Sequence, residues 1–168
     1  MKIGFIGLGN MASAMIGGIL KKELYAAEDI IGSDKSEDSV QKAAKIFGIH
    51  TTTDNLEVAQ AADVLILAVK PQVYDAVIRN LMYVVTEEHV IISLSPSHSI
   101  DALKAKFEKP VRVVRAMPNT PALIGEAMTG VAYDAMEFSF EEKEVLDNFF
   151  KSFGTYRLVD EKLMNAVT

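Results

Sequence analysis

The chain opens on a short apolar run, Ile3-Gly4-Phe5-Ile6, that ends in glycines. A run of this kind predicts a buried strand. Residues 10–22 then place Met11, Ala14, Met15, Gly18 and Ile19 on one stripe at helical spacing, which predicts a helix. Ile30-Ile31-Gly32 predicts a second strand ending at Ser33-Asp34. A helix follows, capped by Ser36, with Glu37 and Asp38 in the first turn where the helix dipole favours acids, and with Gly48 beyond its end. Residues 51–53 predict a short strand, and Asp54 caps a short helix running through Ala61. Val64-Leu65-Ile66-Leu67-Ala68-Val69 is the clearest buried strand, and Pro71 stops it. Beyond it the pattern predicts a helix over 73–82, a strand at Val90-Ile91-Ile92, a helix over 100–107 and strands over 111–115 and 128–133. An amphipathic helix over 140–153 presents Val145, Leu146, Phe149, Phe150 and Phe153, and residues 156–159 close the series. Repeated strand–helix units with apolar strands predict an α/β fold, a Rossmann-type doubly wound, mostly parallel sheet with helices on both faces. Ligands of such sheets sit beyond the carboxyl ends of the strands.

Composition narrows the chemistry. With 168 residues, 49% hydrophobic and 24% charged, the chain fits one globular domain. No repeat or linker divides it. There is no cysteine, which excludes a thiolate zinc site, an iron–sulfur cluster, a cysteine nucleophile and a disulfide scaffold. The net charge of -6 argues against nucleic-acid binding, which needs a basic stripe. No apolar run approaches the ~20 residues that span a bilayer, and the first residues do not read as a signal peptide, so no membrane association and a cytoplasmic location are expected. His50, His89 and His98 lack metal-ligand spacing, and no metal is expected. Ser93, Ser95 and Ser97 lack the G-x-S-x-G elbow of a serine hydrolase. Phe149, Phe150 and Phe153 read as core rather than as a base-stacking platform.

Four segments carry candidate chemistry. Gly7-Leu8-Gly9-Asn10-Met11-Ala12 follows a strand and opens a helix. Gly7 permits the tight turn, Gly9 permits a pyrophosphate to approach the backbone, and the helix start supplies amide donors. Ala12 stands where a third glycine is common, a tolerated variant. Ser33-Asp34-Lys35-Ser36 lies after the second strand, where the adenine ribose is read. Asp34 favours a free 2′-hydroxyl and hence NAD, while Ser33, Lys35 and Ser36 favour a 2′-phosphate and hence NADP. Ala68-Val69-Lys70-Pro71-Gln72 bends the backbone at the end of the clearest strand, over a bound ribose or nicotinamide. Arg115-Ala116-Met117-Pro118-Asn119-Thr120-Pro121 forms a rigid turn in which Met117 and Asn119 are placed to line a nicotinamide pocket, or in which Asn119 caps the next turn.

These segments together resemble pyrroline-5-carboxylate reductase. The resemblance rests on Ile6-Gly7-Leu8-Gly9-Asn10-Met11-Ala12, on Asp63-Val64-Leu65-Ile66-Leu67-Ala68-Val69-Lys70-Pro71-Gln72, and most specifically on Val114-Arg115-Ala116-Met117-Pro118-Asn119-Thr120-Pro121 followed by Gly125-Glu126. It implies NADPH (or NADH) binding and reduction of L-1-pyrroline-5-carboxylate to L-proline, hydride passing from the nicotinamide C4 to the imine carbon C5. The resemblance further implies that Ile6 to Ala12 hold the pyrophosphate. Ser33, Asp34 and Lys35 would meet the adenosine ribose or its phosphate, with Asn55 at the same end. Ala68, Val69, Lys70 and Pro71, with Leu94, Ser95 and Pro96, would flank the nicotinamide half.

The chain departs from the family pattern in three places. Asp34-Lys35 replaces a common Asn followed by Arg or Lys. By charge alone, Asp34→Ser is therefore expected to raise NADPH affinity. Leu94-Ser95-Pro96-Ser97-His98 replaces a small-residue run ending in glycine, and Pro96 has no amide to donate. The family continues beyond residue 168 into a helical dimerisation domain that carries the substrate loop. Residues 1–160 are thus expected to form the dinucleotide-binding domain and 161–168 the opening of that helical domain. No catalytic residue is assigned in this chain. The expected full-length protein is a homo-oligomer acting on a small-molecule substrate; this chain alone is compatible with a monomer. The alternatives are a standalone NAD(P)-binding sensor or partner module and another NADP-dependent reductase sharing this domain, such as a deazaflavin-dependent one.

Overall fold

Strands and helices alternate as the hydrophobic pattern predicts. The computed structural model describes residues 1–166. In chain order they form β1 (Ile3–Ile6), α1 (Asn10–Lys21), β2 (Ile30–Ser33), α2 (Glu37–Phe47), β3 (His50–Thr52), α3 (Asn55–Ala61), β4 (Val64–Leu67), α4 (Tyr74–Leu81), β5 (Val90–Ser93), α5 (Ile100–Phe107), β6 (Arg112–Met117), β7 (Ala127–Ala132), α6 (Phe140–Lys151) and β8 (Gly154–Leu158). Short 3₁₀ turns lie between them, among them Pro71–Val73 and Thr120–Ile124, and another, Glu161–Ala166, follows β8.

The caps explain the boundaries. Ser36 Oγ accepts from the Ser39 amide at the start of α2, and Gly48 ends that helix in the left-handed conformation, φ 68°. Asp54 caps α3 through the Leu56 amide. Ser139 and Glu142 form a reciprocal capping box at the start of α6.

All eight strands join one sheet in the order β3-β2-β1-β4-β5-β6-β7-β8. Side chains alternate across it with a period of two. Ile3 and Phe5 of β1 face one way with Ile66 of β4 and Ile92 of β5, and α1, α2 and α6 cover them. Ile6, Leu65, Leu67 and Ile91 face the other way and are covered by α3, α4 and α5. Central strands buried on both faces explain why β1, β4 and β5 read as continuous apolar runs. The strand order runs outward from β1 in both directions, so the connections after β1 and after β4 part on opposite faces and leave a crevice between them.

Several boundaries differ from expectation. β4 ends at Leu67, two residues before Val69. Its neighbour β1 leaves the sheet after Ile6, so the backbone of Ala68 and Val69 has only one last bond to make, from the Ala68 amide to the Ile6 carbonyl. α6 stops at Lys151 rather than at Phe153, because Gly154 turns the chain at φ 149° into β8. β7 runs antiparallel to β6. Only the Thr120–Ile124 turn links them, and a parallel crossover needs a dozen or more residues. The crossover through α6 then makes β8 parallel to β7. Residues 161–166, where the opening of a helix is expected, form a 3₁₀ turn, and 167–168 lie outside the described residues. That turn docks on the domain. Met164 is buried with Met117 and Ala132, and a Glu161 carboxylate oxygen accepts from the Ile100 amide at 2.7 Å.

α1 approaches the α6–β8 turn so closely that a Cβ on Gly18 would stand 2.6 Å from the Ser152 carbonyl oxygen, whereas one on neighbouring Gly17 meets nothing nearer than the Phe47 ring at 3.7 Å. Gly18→Ala is therefore expected to destabilise the domain by about 1–3 kcal/mol, and Gly17→Ala to stabilise it by about 0.5–1 kcal/mol. Urea denaturation of the two variants checks both signs.

Candidate dinucleotide site

The loop after β1 is held between the ends of two neighbouring strands. Gly7 has φ 101°, a conformation L side chains rarely adopt, and its amide donates to the Ser33 carbonyl at 2.8 Å. A Cβ there would lie 2.9 Å from the Ala68 carbonyl oxygen. Gly9 is different. Its backbone is ordinary, φ -77°, and a Cβ on it would meet nothing within 4 Å. The protein itself has no packing reason for a glycine at position 9; the space beside it is open. Gly9 is also the N-cap of α1, where no side chain caps the helix and no acid occupies the first turn. The amides at the start of a twelve-residue helix thus face that space with the positive end of the dipole.

A cavity of about 360 Å³ opens at the carboxyl ends of β1, β2 and β4. Gly7, Gly9, Asp34, Lys35, Asn55, Ala68, Val69 and Lys70 all line it, so residues from four separate segments of the sequence converge there. Val73 and Val77 complete it with an apolar wall. Neither was among the residues expected at the site. Their signal was present as an i, i+4 pair on the helix predicted over 73–82. Leu8 and Asn10 stand on the other flank of the glycine loop, beside a second cavity of about 320 Å³ that Gly9 shares.

Beyond the end of β2 the polar groups are paired in a definite way. Ser33 is fully buried, and its hydroxyl donates to Asn55 Oδ1 at 2.7 Å. Ser33 therefore orients Asn55 rather than meeting a ligand itself. With its oxygen engaged, Asn55 presents its NH2 group as the donor. Asp34 accepts from the Leu8 amide through Oδ2 and from the Ser36 amide through Oδ1, each at 2.9 Å. Lys35 is exposed at the rim.

Other expected residues lie outside the cavity lining. Ile6 and Ala12 are both buried, Ile6 in the core on one face of the sheet and Ala12 in the core on the other. Ala12 thus fills the role of a small residue that lets helix and strand pack closely. Met11 packs against that core. Pro71 opens the turn that follows the cavity wall, with Lys70 exposed before it. Met117 is buried with Ala132 and Met164, so its side chain serves packing. Asn119 does not cap the following turn: its Oδ1 accepts from the Met128 amide at 3.0 Å and ties the Pro-rich turn to β7.

Leu94, Ser95 and Pro96, at the end of β5, belong to a polar string that sequence reasoning missed. Tyr74, fully buried, donates to the Leu67 carbonyl at 2.8 Å and lies 3.2 Å from Ser93 Oγ. Burial pushes its phenol up to about 12, so it stays protonated as a donor at neutral pH. The Tyr74 ring stacks on His98 at 4.7 Å, and His98 Nδ1 stands 2.6 Å from Ser95 Oγ. Burial, with Lys106 nearby as a lesser cause, lowers the His98 pKa and favours the neutral ring. The Pro96 carbonyl accepts from Arg115 Nη2 at 2.7 Å. The loop thus gains from Arg115 the anchoring its proline cannot supply as a donor. No spacing rule links residues 74, 93, 95 and 98; only the adjacency of α4 and β5 does.

The fold and this convergence define a dinucleotide-binding α/β domain. The chain belongs to the family described as NADP oxidoreductase, coenzyme F420-dependent, whose model matches residues 2–97. Over 167 residues, 99% of the chain, it is 37% identical to the pyrroline-5-carboxylate reductase of Methanosarcina acetivorans and spans 62% of that protein. It is 32% identical to the enzyme of the same name from Escherichia coli K12, again over 99% of this chain and 61% of that protein. The pyrroline-5-carboxylate reductase structure from Coxiella burnetii superposes with a TM-score of 0.91 at 30% identity, covering 97% of this chain and 60% of that one. The Plasmodium falciparum pyrroline carboxylate reductase structure, which has NADP bound, superposes with a TM-score of 0.85 at 27% identity over 98% of this chain and 59% of that one.

The two loop glycines separate folding from binding. Gly9→Ala is expected to cost at most about 1 kcal/mol of stability, from the poorer N-cap, while lowering NADPH affinity at least about tenfold, because the methyl occupies the open space beside the helix start. Gly7→Ala is expected to cost about 1–3 kcal/mol of stability from backbone strain alone. Calorimetry and fluorescence titration of the two variants check this.

Proposed function

We propose that this chain is the cofactor-holding domain of an NADPH-dependent reductase of L-1-pyrroline-5-carboxylate, the reaction that yields L-proline. The observation that carries the reading is the convergence of Gly7, Gly9, Asp34, Lys35, Asn55, Ala68, Val69 and Lys70 on one cavity at the β1–β4 crevice. The substrate is proposed from the likeness to pyrroline-5-carboxylate reductases along 99% of the chain. The residues fit a dinucleotide. The open space beside Gly9 receives the pyrophosphate against the α1 amides, Asn55 donates at the ribose, Lys35 offers the cation for a 2′-phosphate, and Val69, Val73 and Val77 form an apolar wall.

Bound nicotinamide supplies a hydride, which with one proton converts a C=N bond to CH–NH. This chain's part is positional. The glycine loop holds the phosphates, and Ala68, Val69 and Lys70 bend over the reducing half, with the Tyr74–Ser93–Ser95–His98 string behind them. No group here is assigned the imine's proton. The domain boundary near residue 160, a following helical segment that brings the substrate, a homo-oligomer of the longer protein and a cytoplasmic setting belong to the same proposal.

A second reading has its own support in the family description, which names coenzyme F420, a deazaflavin. It makes the domain part of a reductase that passes hydride between NADP and that coenzyme. One experiment separates them. The isolated chain is expected to bind NADPH in a fluorescence titration yet to show imine reduction far below the ~1 s⁻¹ of an ordinary enzyme, and a version extended to the length of its relatives is expected to oxidise NADPH when given pyrroline-5-carboxylate. If the extended protein ignores the imine but reduces the deazaflavin, the second reading holds instead.

A further inference from the structure

Asp34 is the acid that charge alone marks as hostile to a 2′-phosphate. Its hydrogen bonds describe another role. Both carboxylate oxygens are engaged by backbone amides, Oδ2 by Leu8 in the glycine loop and Oδ1 by Ser36 at the start of α2. Leu8 is held a second way: its side chain is buried and packs over Gly32 of β2, so closely that a Cβ on Gly32 would lie 2.5 Å from Leu8 Cδ2. Asp34 is itself held in register by its own amide, which donates to the Thr52 carbonyl at 3.2 Å. The carboxylate is therefore a bridge with a fixed orientation between the ends of β1 and β2. The Leu8 amide, pointed at Asp34, is withdrawn from the phosphates, and those that follow it at Gly9, Asn10 and Met11 begin the helix.

Resting on the reading of the cavity as a dinucleotide site, the geometry points to Asp34 as a positioning residue that holds the glycine loop in its binding conformation for NADPH and NADH alike, and not as a group that selects between them. Two facts support this over the charge argument. The orientation of the carboxylate is set by two amide bonds of the stronger, charge-assisted kind, which would be lost if it turned towards a ligand. Two amide dipoles aimed at its oxygens also offset part of the charge a phosphate would meet. Choice between the nucleotides then falls to the cation of Lys35 and the NH2 group of Asn55, the cavity-lining donors at that end.

The test compares wild type with Asp34→Ser and Asp34→Asn by fluorescence titration of NADPH and of NADH, and follows exchange of the Leu8 amide by NMR without nucleotide. Asp34→Ser is expected to weaken both nucleotides by about tenfold, the effect of one charge-assisted bond, with the ratio of the two Kd values changed less than twofold and with faster Leu8 exchange. Asp34→Asn, which keeps one acceptor and no charge, is expected to fall between Asp34→Ser and wild type for both. A rise in NADPH affinity in both variants, with NADH weakened and Leu8 exchange unaltered, overturns the proposal and restores the charge argument. If wild type binds neither nucleotide, the reading of the cavity is what fails, and the Leu8 exchange rates still report whether Asp34 holds the loop.

Discussion

The absence of room at Gly7 governs the rest of this molecule. The residue takes a backbone conformation open to glycine, its amide is bonded to the end of β2, and its Cα faces the carbonyl of Ala68 at the end of β4. Three strands therefore end at one point, and the chain can leave β1 in only one direction. From that follow the start of α1, the open space beside Gly9 and the crevice into which four distant segments turn. A larger residue at position 7 would strain the turn and press against the Ala68 carbonyl at the end of β4.

Around that point the polar side chains serve one another before they serve any ligand. Ser33 orients Asn55, and Asp34 joins Leu8 to Ser36. At the end of β5, Tyr74, Ser93, Ser95 and His98 form a chain of contacts, and Arg115 steadies the Pro96 carbonyl. Such pairing follows from burial, since a polar group withdrawn from water costs free energy unless it finds a partner. It also sets the ends of β1, β2, β4 and β5 to a common geometry ahead of binding, which lowers the ordering cost when a ligand arrives.

Much of the architecture was legible along the chain. Short apolar runs and helical stripes located every strand and helix, and Ser36, Asp54 and Gly48 set boundaries through local bonds that span only a few residues. The glycine loop was legible as well, because its requirements are local: a tight turn, then an uncapped helix start. What escaped were pairings between segments. That Asn119 bonds to β7 rather than capping its own turn, that Met117 turns into a cluster with Met164, and that Ser33 is spent on Asn55 all depend on which elements become neighbours. Residue type predicts the capacity to bond, and only packing chooses the partner.

The sequence by itself determined an α/β sheet with a dinucleotide loop at its first turn, because alternation, capping and glycine placement act over a few residues and leave their mark there. The tertiary structure alone decided the partners of Asp34. In the sequence it is an acid beside a lysine, and its charge is all that can be weighed. In the fold its two oxygens meet two amides, one of them 26 residues earlier in the chain, and a hydrogen bond over that separation exists only because β1 and β2 lie side by side.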